Sequence, residues 1–293
     1  MTLRVMSYNV YYRQLTSGRM QAVEANIRSV APDCFGIQEC TMDWYRYFLE
    51  AFEGEYAAVG VGRYGSTVNH EVEQVDQNGN PIIWQGEKEP DMANPVFYRV
   101  DQFDLLDSGT LWLSDTPETV SWSDNNGQSL FPGILTYAML RRRSDGAVFY
   151  IANTHLYFDS ESVRCIQAEQ LNALLCNSTY FDASCPVFLT GDFNADQTSQ
   201  TYGYLTGTAG FDDASETAAV RTDPYNGTYN NAFFGGAGAD MSDCRQFDFC
   251  FSSSGVDEVT ADRYVVRTAA CEPFGASPSD HFPVYADYTL QSD

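Results

Sequence analysis

The chain has 293 residues, 44% of them apolar and 14% aromatic, and carries 16 basic against 40 acidic side chains, a formal net charge of −24. Such a chain can bury a large core, but its surface repels polyanions, which excludes nucleic-acid binding by overall charge alone. No window approaches the roughly 18 consecutive apolar residues of a membrane-spanning helix, and the opening "MTLRVMSYNV" lacks the basic start and apolar block of a secretory signal. Lys88 is the only lysine, so arginine supplies the remaining positive charge. The cysteines sit where strands usually carry valine or isoleucine: Cys34 and Cys40 flank "FGIQE", Cys250 lies in "QFDFCFSS" and Cys185 leads into "PVFLTG". They read as small buried hydrophobes, which predicts free thiols and a reducing cytoplasm, with Cys176 and Cys185 the pair placed to bridge if any does.

In chain order, "LRVMSYNV" is a strand ending at Asn9. A helix follows, in which Met20, Val23, Ile27 and Val30 keep helical spacing and Pro32 stops it. "CFGIQE" is a strand ending at Glu39, and Thr41 caps a second helix over 41–52. Residues 66–90 read as an inserted hairpin, since "NG" at 78–79 separates two alternating runs. Strands are predicted at "NPVFYRV", "GTLWLS", "LTYAMLRR" and "VFYIANTH". A third helix runs from about Glu161 to Cys176, with Val163, Ile166, Leu171, Leu174 and Leu175 on its apolar stripe. "PVFLTGDFN" follows, with Gly191 expected where backbone or phosphate approaches closely. The stretch 196–245 reads as long loops, and "QFDFCFSS", "YVVRTAA" and "FPVYADYTL" complete the strands. Many strands with few helices predict an α+β fold of two packed sheets covered by helices. No linker or fixed-period repeat divides the chain, so residues 1–293 read as one domain, expected to be monomeric.

Polar residues cluster at the ends of these strands. Of three histidines, His155 closes one strand and His281 follows Asp280 just before another. Asp192 and Asn194 end "PVFLTGDFN" and, two residues apart on an extended chain, share a face. Asp248 lies inside "RQFDFCF", where an unpaired charge is costly. Asn9, Glu39, Asp192, Asn194 and Asp280 offer only oxygen ligands, which suit Mg²⁺ or Mn²⁺ better than zinc. No CxxC pair, HExxH run, GxxxxGK[ST] loop or GxSxG elbow competes with that assignment.

The ordered set "MSYNV", "IQE", "NTHL", "TGDFNA" and "SDHFPVYADY", together with "PVFYRVDQFDLLDSGTLWLSDTPE" and "RQFDFCF", resembles the endonuclease/exonuclease/phosphatase superfamily along nearly the whole chain. The resemblance implies a deoxyribonuclease I-like four-layer αββα sandwich and metal-dependent phosphoester cleavage. It makes Glu39 the principal metal ligand with Asn9 and Asp280 beside it. Asp192 would orient or deprotonate the attacking water, and Asn194 would hold a phosphate oxygen or the metal. His281, paired with Asp248, and His155 would face the scissile phosphate.

Several positions depart from the family pattern. Met92 stands where relatives carry a glutamate that supports the histidine equivalent to His155, leaving Asp91 or Glu89 as substitutes. Tyr157 and Phe158 follow "THL" in place of Asp-His, and "FPGI" occupies the place of an arginine before "LTYAML". The insertion adds His70, read as a loop residue or part of a lid. "RRR" at 141–143 reads as a solvated hairpin end, and Trp112 and Trp122 as packing residues. The expected activity is a phosphodiesterase with nuclease-like chemistry. The alternatives are hydrolysis of a small phosphorylated metabolite, nucleotide or lipid or inositol headgroup, and a binding module with a weakened site.

Overall fold

The computed structural model describes residues 2–84, 86–123, 127–222, 227–230, 245–253, 259–268 and 277–290. Its framework is a sheet of seven strands and a sheet of six. The strands are β1 (Thr2–Asn9), β2 (Cys34–Gln38), β3 (Tyr56–Val59), β4 (Val96–Arg99), β5 (Phe103–Trp112), β6 (Ile134–Arg142), β7 (Val148–His155), β8 (Val187–Asp192), β9 (Phe211–Asp213), β10 (Val220–Thr222), β11 (Asp248–Ser253), β12 (Val259–Val266) and β13 (Val284–Leu290). One sheet runs β10-β12-β13-β1-β2-β4-β3 and the other β9-β11-β8-β7-β6-β5. The principal helices are α1 (Ser17–Val30), α2 (Met42–Ala51) and α3 (Glu161–Leu175). At the centre of each sheet lies a parallel pair, β1 beside β2 and β7 beside β8. The first pair is joined through α1 and the second through α3.

Strand alternation assigns the layers. Leu3, Val5, Cys34, Phe149, Ile151 and Phe188 meet between the sheets. The alternate residues Met6, Tyr8, Phe35 and Ile37 pack with Val23 and Ile27 of α1 and Trp44 and Phe48 of α2. On the far side, Tyr150, Ala152, Val187 and Leu189 meet Ala168, Leu171 and Leu174 of α3. The outcome is helix, sheet, sheet, helix, the expected four-layer sandwich. Thr16, Thr41 and Ser160 cap the helices, each accepting from the N–H three residues on. The α1 chain then turns at Ala31, whose φ is 50°.

Some local expectations are revised. In α3 Gln167 and Ala168 are buried while Ile166 is half-buried. Gln167 is drawn inward because its oxygen accepts from the Tyr157 N–H at 2.7 Å and its nitrogen donates to the Ser123 hydroxyl at 3.1 Å. The 196–245 stretch is not simply loop: it holds α4 (Gln200–Gly203), a π-helical turn (Tyr204–Thr208), β9, α5 (Ala214–Thr217) and β10. Side-chain caps from Ser199 and Asp213 start its two helices; residues 223–226 and 231–244 lie outside the described set. In the insertion, Asn78–Gly79 does form a tight turn, with the Asp76 N–H donating to Asn80 O at 2.8 Å. Its flanks make only a single bridge, Val75 to Pro81, and the ladder there is Ile83–Trp84 against Glu87–Lys88. Gly191 admits backbone, since a Cβ there would lie 2.6 Å from Thr154 O.

Other expectations hold. Cys34, Cys40 and Cys250 are buried, and Cys176 and Cys185 are free thiols. Arg141 and Arg143 pair with Asp104 at an exposed hairpin end, whereas Arg142, expected to be solvated with them, is buried and pairs with Asp145 because its strand parity turns it inward. Trp112 is buried and Trp122 packs on the Tyr64 ring. No described helix is long and apolar enough to cross a membrane.

Between the sheets the side chains change character along the central strands. The apolar residues above give way to Ser7, Gly36, Gln38, Asn153 and Thr190, all fully buried or nearly so. Gln38 Nε2 donates to the Ser7 hydroxyl at 3.1 Å and to Asn153 Oδ1 at 2.6 Å. Asn153 Nδ2 in turn donates to Ile37 O at 2.8 Å, and the Thr190 hydroxyl donates to Asn153 Oδ1 at 3.1 Å. The sheets approach so closely at Gly36 that a Cβ would lie 2.3 Å from Thr190 Oγ1 and 2.4 Å from the Asn153 amide. Gly36→Ala should therefore cost about 1–3 kcal/mol of stability, read from chemical denaturation; an unchanged midpoint would contradict this contact.

Candidate active site

The C-terminal ends of β1, β2, β7 and β8 lie together, because each parallel pair runs in register: Asn9 is level with Gln38, and His155 with Asp192. Asp192 also faces Asp248 across the antiparallel β8–β11 pair. Alternation puts Asn9, His155, Asp192 and Asp248 on the inter-sheet face, continuing the polar series. Glu39, next to Gln38, would point away, but its φ of 57° breaks the alternation. Its Oε1 accepts from Asn9 Nδ2 at 3.2 Å and its Oε2 from the Tyr12 N–H at 3.0 Å. The Asn9 amide also donates to Asp192 Oδ2 at 2.9 Å, so it ties one sheet to the other.

Asn194 is the second site residue with positive φ, at 48°. Backbones of this kind cost of order 1–3 kcal/mol and persist where their surroundings fix them. Here the Asn194 N–H donates to Asp192 Oδ1 at 2.9 Å, and its side-chain nitrogen donates to Leu156 O at 2.9 Å and lies 3.0 Å from His155 Nε2. His155 thus takes its support from Asn194. Asp91 and Glu89, the substitutes expected for that task, work elsewhere. Asp91 accepts the N–H groups of Tyr64, Ser66 and Met92, and Glu89 accepts from the Tyr12 hydroxyl and pairs with Arg13.

His281 is held from three directions. Its N–H donates to Ser279 Oγ, whose hydroxyl donates to Asn9 O at 2.8 Å. Its Nδ1 lies 2.7 Å from Asp248 Oδ2. Thr228 completes the support, accepting from the Phe247 and Asp248 N–H groups while its own carbonyl accepts from Phe282. The Nε2 atoms of His155 and His281 each lie 3.6 Å from Asp192 Oδ2. Asp280 lines the same cleft, and all the residues singled out for chemistry meet there or directly behind it. His70 is an exposed loop residue outside the cleft lining.

The charges are crowded. Desolvation pushes the Asp280 carboxyl up to about 6, reinforced by Glu39 and Asp192 against the pull of His281. Burial alone would lower the His281 pKa, but Asp248, Asp192 and Asp280 outweigh it and hold the imidazole well above its usual range. Behind the site Arg19 is fully buried, donates to Val10 O and Tyr11 O, and stacks 5.1 Å over Trp44. Burial lowers its pKa while Tyr8, Asp280 and Glu39 favour its charge. Sequence inspection missed Arg19, which reads as a polar helix position, and Thr228, whose role depends on distant strands. Ser279, two residues before His281 in "SPSDHF", was open to notice.

The cleft holds about 600 Å³. Its aromatic walls include Phe131, Tyr157, Tyr229 and Phe247, and Arg63 and Arg245 reach it from opposite loops. Asp192, Asp248 and His281 present atoms within 4.8 Å of one another, a spacing that could hold a metal. Because His281 Nδ1 is already bound to Asp248, this trio also reads as a hydrogen-bonded relay. Glu39, Asn9 and Asp280 form the all-oxygen alternative, which fits a hard cation.

A four-layer sandwich with two imidazoles and several carboxylates at its central strand ends defines a deoxyribonuclease I-like protein. The chain belongs to the Endonuclease/Exonuclease/phosphatase family, whose profile matches residues 6–281 and whose members are phosphoester hydrolases that generally use divalent metals. A family protein from Bacteroides thetaiotaomicron is similar over 100% of this chain and 99% of its own, at 26% identity and TM-score 0.77. The mannosyl-6-phosphatase of the same organism is 27% identical, with TM-score 0.74 over 98% of this chain and 100% of its own. Protein angel of Drosophila melanogaster is 29% identical over 117 residues; the match covers 39% of this chain and only 31% of that curated relative.

The raised His281 pKa means that its proton persists as pH rises through the ordinary imidazole range. In metal-free protein, NMR should find His281 still protonated above the ordinary imidazole range, and Asp248→Asn should bring its transition down. A wild-type His281 transition within the ordinary imidazole range would contradict the Asp248 pairing.

Proposed function

We propose that this chain is a divalent-metal-dependent phosphoester hydrolase whose cleft takes a small phosphorylated molecule. The carrying observation is Asp192 Oδ2, equidistant at 3.6 Å from the Nε2 atoms of His155 and His281 and bonded to the amide of Asn9. That oxygen is placed to orient a water and take its proton. His281, fixed at Nδ1 by Asp248, brings its Nε2 to stabilise a phosphoryl group and move protons. His155, whose Nε2 faces the Asn194 amide from the opposite sheet, joins it once substrate displaces that contact. Asn194 supports His155 with its amide nitrogen, and its Oδ1 is the atom that would hold the metal.

Glu39, Asn9 and Asp280 would hold Mg²⁺ or Mn²⁺, which supplies Lewis acidity and offsets phosphate charge when bound. The carboxylates fit: Glu39 and Asp280 offer only oxygen, and the repulsion of Asp280 by Glu39 and Asp192 is what a cation relieves. Asn9, whose Oδ1 accepts from the Tyr11 N–H and whose nitrogen faces Glu39, would join through the remaining lone pair of that oxygen. A binding module with a weakened site is the less favoured alternative, because the support for His155 is present and the His281–Asp248 pair is intact.

Two features favour a small substrate. The insertion backs the cleft wall: Val72, Val75 and Ile82 pack with Tyr64 and with the lining residues Phe131 and Tyr157, while Glu89, itself at the cleft, latches to Tyr12 and Arg13. A formal charge of −24 also leaves duplex DNA without the basic track that normally binds it. The similarity to a mannosyl-6-phosphatase agrees with this substrate class. A single-stranded phosphodiester is the second reading, supported by Phe158, which is 45% exposed and lines the cleft, as bases stack on such rings.

Phosphorylated sugars, nucleotides, inositol phosphates, generic mono- and diesters, single-stranded oligonucleotides and plasmid, each with Mg²⁺, Mn²⁺ or EDTA, separate these cases. Turnover should need the metal and be fastest on a small substrate; faster cleavage of oligonucleotides would favour the second reading. Asp192→Ala and His281→Ala should each lower kcat about 10²- to 10⁴-fold with circular dichroism unchanged. Near-normal rates in both variants would overturn the roles of Asp192 and His281.

A further inference from the structure

We propose that Arg63, stacked on Phe131, is the anion subsite of the cleft and binds a phosphoryl oxygen of the substrate. This subsite rests on the phosphoester reading and is what would fix the substrate's charged end. Arg63 Cζ lies 4.2 Å from the Phe131 ring centroid. It lines the main cleft with His155 and Asp192, and also a small recess shared by His155, Met92 and Pro132.

Its backbone is held on both sides. The Arg63 N–H donates to Met92 O at 3.0 Å, and its carbonyl accepts from Trp112 Nε1 at 2.7 Å. Asp91 fixes the following turn by accepting the N–H groups of Tyr64 and Ser66, each at 3.1 Å. The guanidinium is therefore delivered by a rigid loop onto a flat aromatic support, and little side-chain freedom remains to be lost on binding.

What it lacks is a partner. Among the described residues no carboxylate lies within 4.0 Å of the Arg63 side chain, and its Nε is buried without a hydrogen bond. Neighbouring cations are committed, Arg13 to Glu89 and Arg164 to Glu161. Asp91, whose charge Arg63 feels, has its oxygens occupied by amides. With Nε buried, the terminal nitrogens are the donors left for an oxyanion in the cleft. Guanidinium also matches phosphate geometrically, with a planar fork of donors that can bind two oxygens at once. In a cleft dominated by carboxylates, this unpaired guanidinium gives phosphate a local attraction that the protein's overall charge denies it.

The test is calorimetric titration of Mg²⁺-loaded protein with inorganic phosphate. Arg63→Met keeps the stem and its contact with Phe131 but removes the donors. Its phosphate Kd should rise about 10- to 100-fold, the worth of a charge-assisted bond, with Tm near the wild-type value. Arg63→Lys should recover part of the affinity, because a point charge lacks the fork, and it also serves as the test should Arg63→Met not fold. Arg245→Met, at the exposed rim, should have a smaller effect. Asp192→Ala should lose turnover yet bind phosphate within a few-fold of wild type.

Wild-type phosphate affinity in the folded Arg63 variants, or no phosphate affinity in the wild type, would overturn the subsite. Its failure is distinguishable from failure of the enzyme reading. A wild type that binds phosphate through Arg63 but hydrolyses no ester sinks only the latter; hydrolysis with unchanged KM and phosphate affinity in Arg63→Met sinks only the former.

Discussion

Like-charge crowding at one end of the sandwich is the constraint to which the rest of the structure answers. Glu39, Asp192 and Asp280 face a shared cleft, and Asp248 lies fully buried behind His281. Such a group of carboxylates is stable only if each is bonded or neutralised. The fold supplies bonds in turn: the Asn9 amide to Glu39 and Asp192, the Asn194 N–H to Asp192, and the His281 imidazole to Asp248. The buried Arg19 adds positive charge from behind. The remaining repulsion, visible in the raised pKa of Asp280, is left for a cation to relieve.

The sandwich can carry this arrangement because polarity is graded along the strands. Leu3, Val5, Phe149, Ile151 and Phe188 seal the inter-sheet layer at one end. Ser7, Gln38, Asn153 and Thr190 then form a buried hydrogen-bond network, with Gly36 providing the room for it. Only beyond that network do ionisable groups begin. The two positive-φ residues, Glu39 and Asn194, extend the site past the regular strands, where alternation would have turned Glu39 toward the helices. Local strain is thus exchanged for convergence of both sheets on one space.

That grading explains what the sequence disclosed. A strand with apolar residues at alternate positions and Asn9, His155 or Asp192 at its end shows its parity directly, so the sheets and the site residues could be read together. Thr41 likewise marked its helix through a local cap. Other features depend on partners far away in the chain. Gln167 looks like a surface residue until Tyr157 and Ser123 are seen to need its amide. Asn194 carries a second task that no local pattern shows, since its side-chain nitrogen reaches Leu156 O and His155 across the chain. Arg63 carried no motif, because its meaning lies in Phe131, Met92 and Trp112. Between 200 and 222 the short helices and strands gain their order from packing and capping, not from a periodicity long enough to detect.

The insertion alters what the common site can accept without touching the reacting groups. Its apolar side chains join Tyr64, Phe131 and Tyr157 in a small core of their own, and Glu89 fastens its far end to the loop after β1. The same short core includes Phe131, the ring on which Arg63 stacks. Wall and anion subsite are therefore one mechanical unit, anchored by Asp91 through the amides of residues 64, 66 and 92. On the proposed reading, the chemistry resides in the strand ends, whereas substrate choice would reside in a segment that packs against itself and can diverge without disturbing the sandwich.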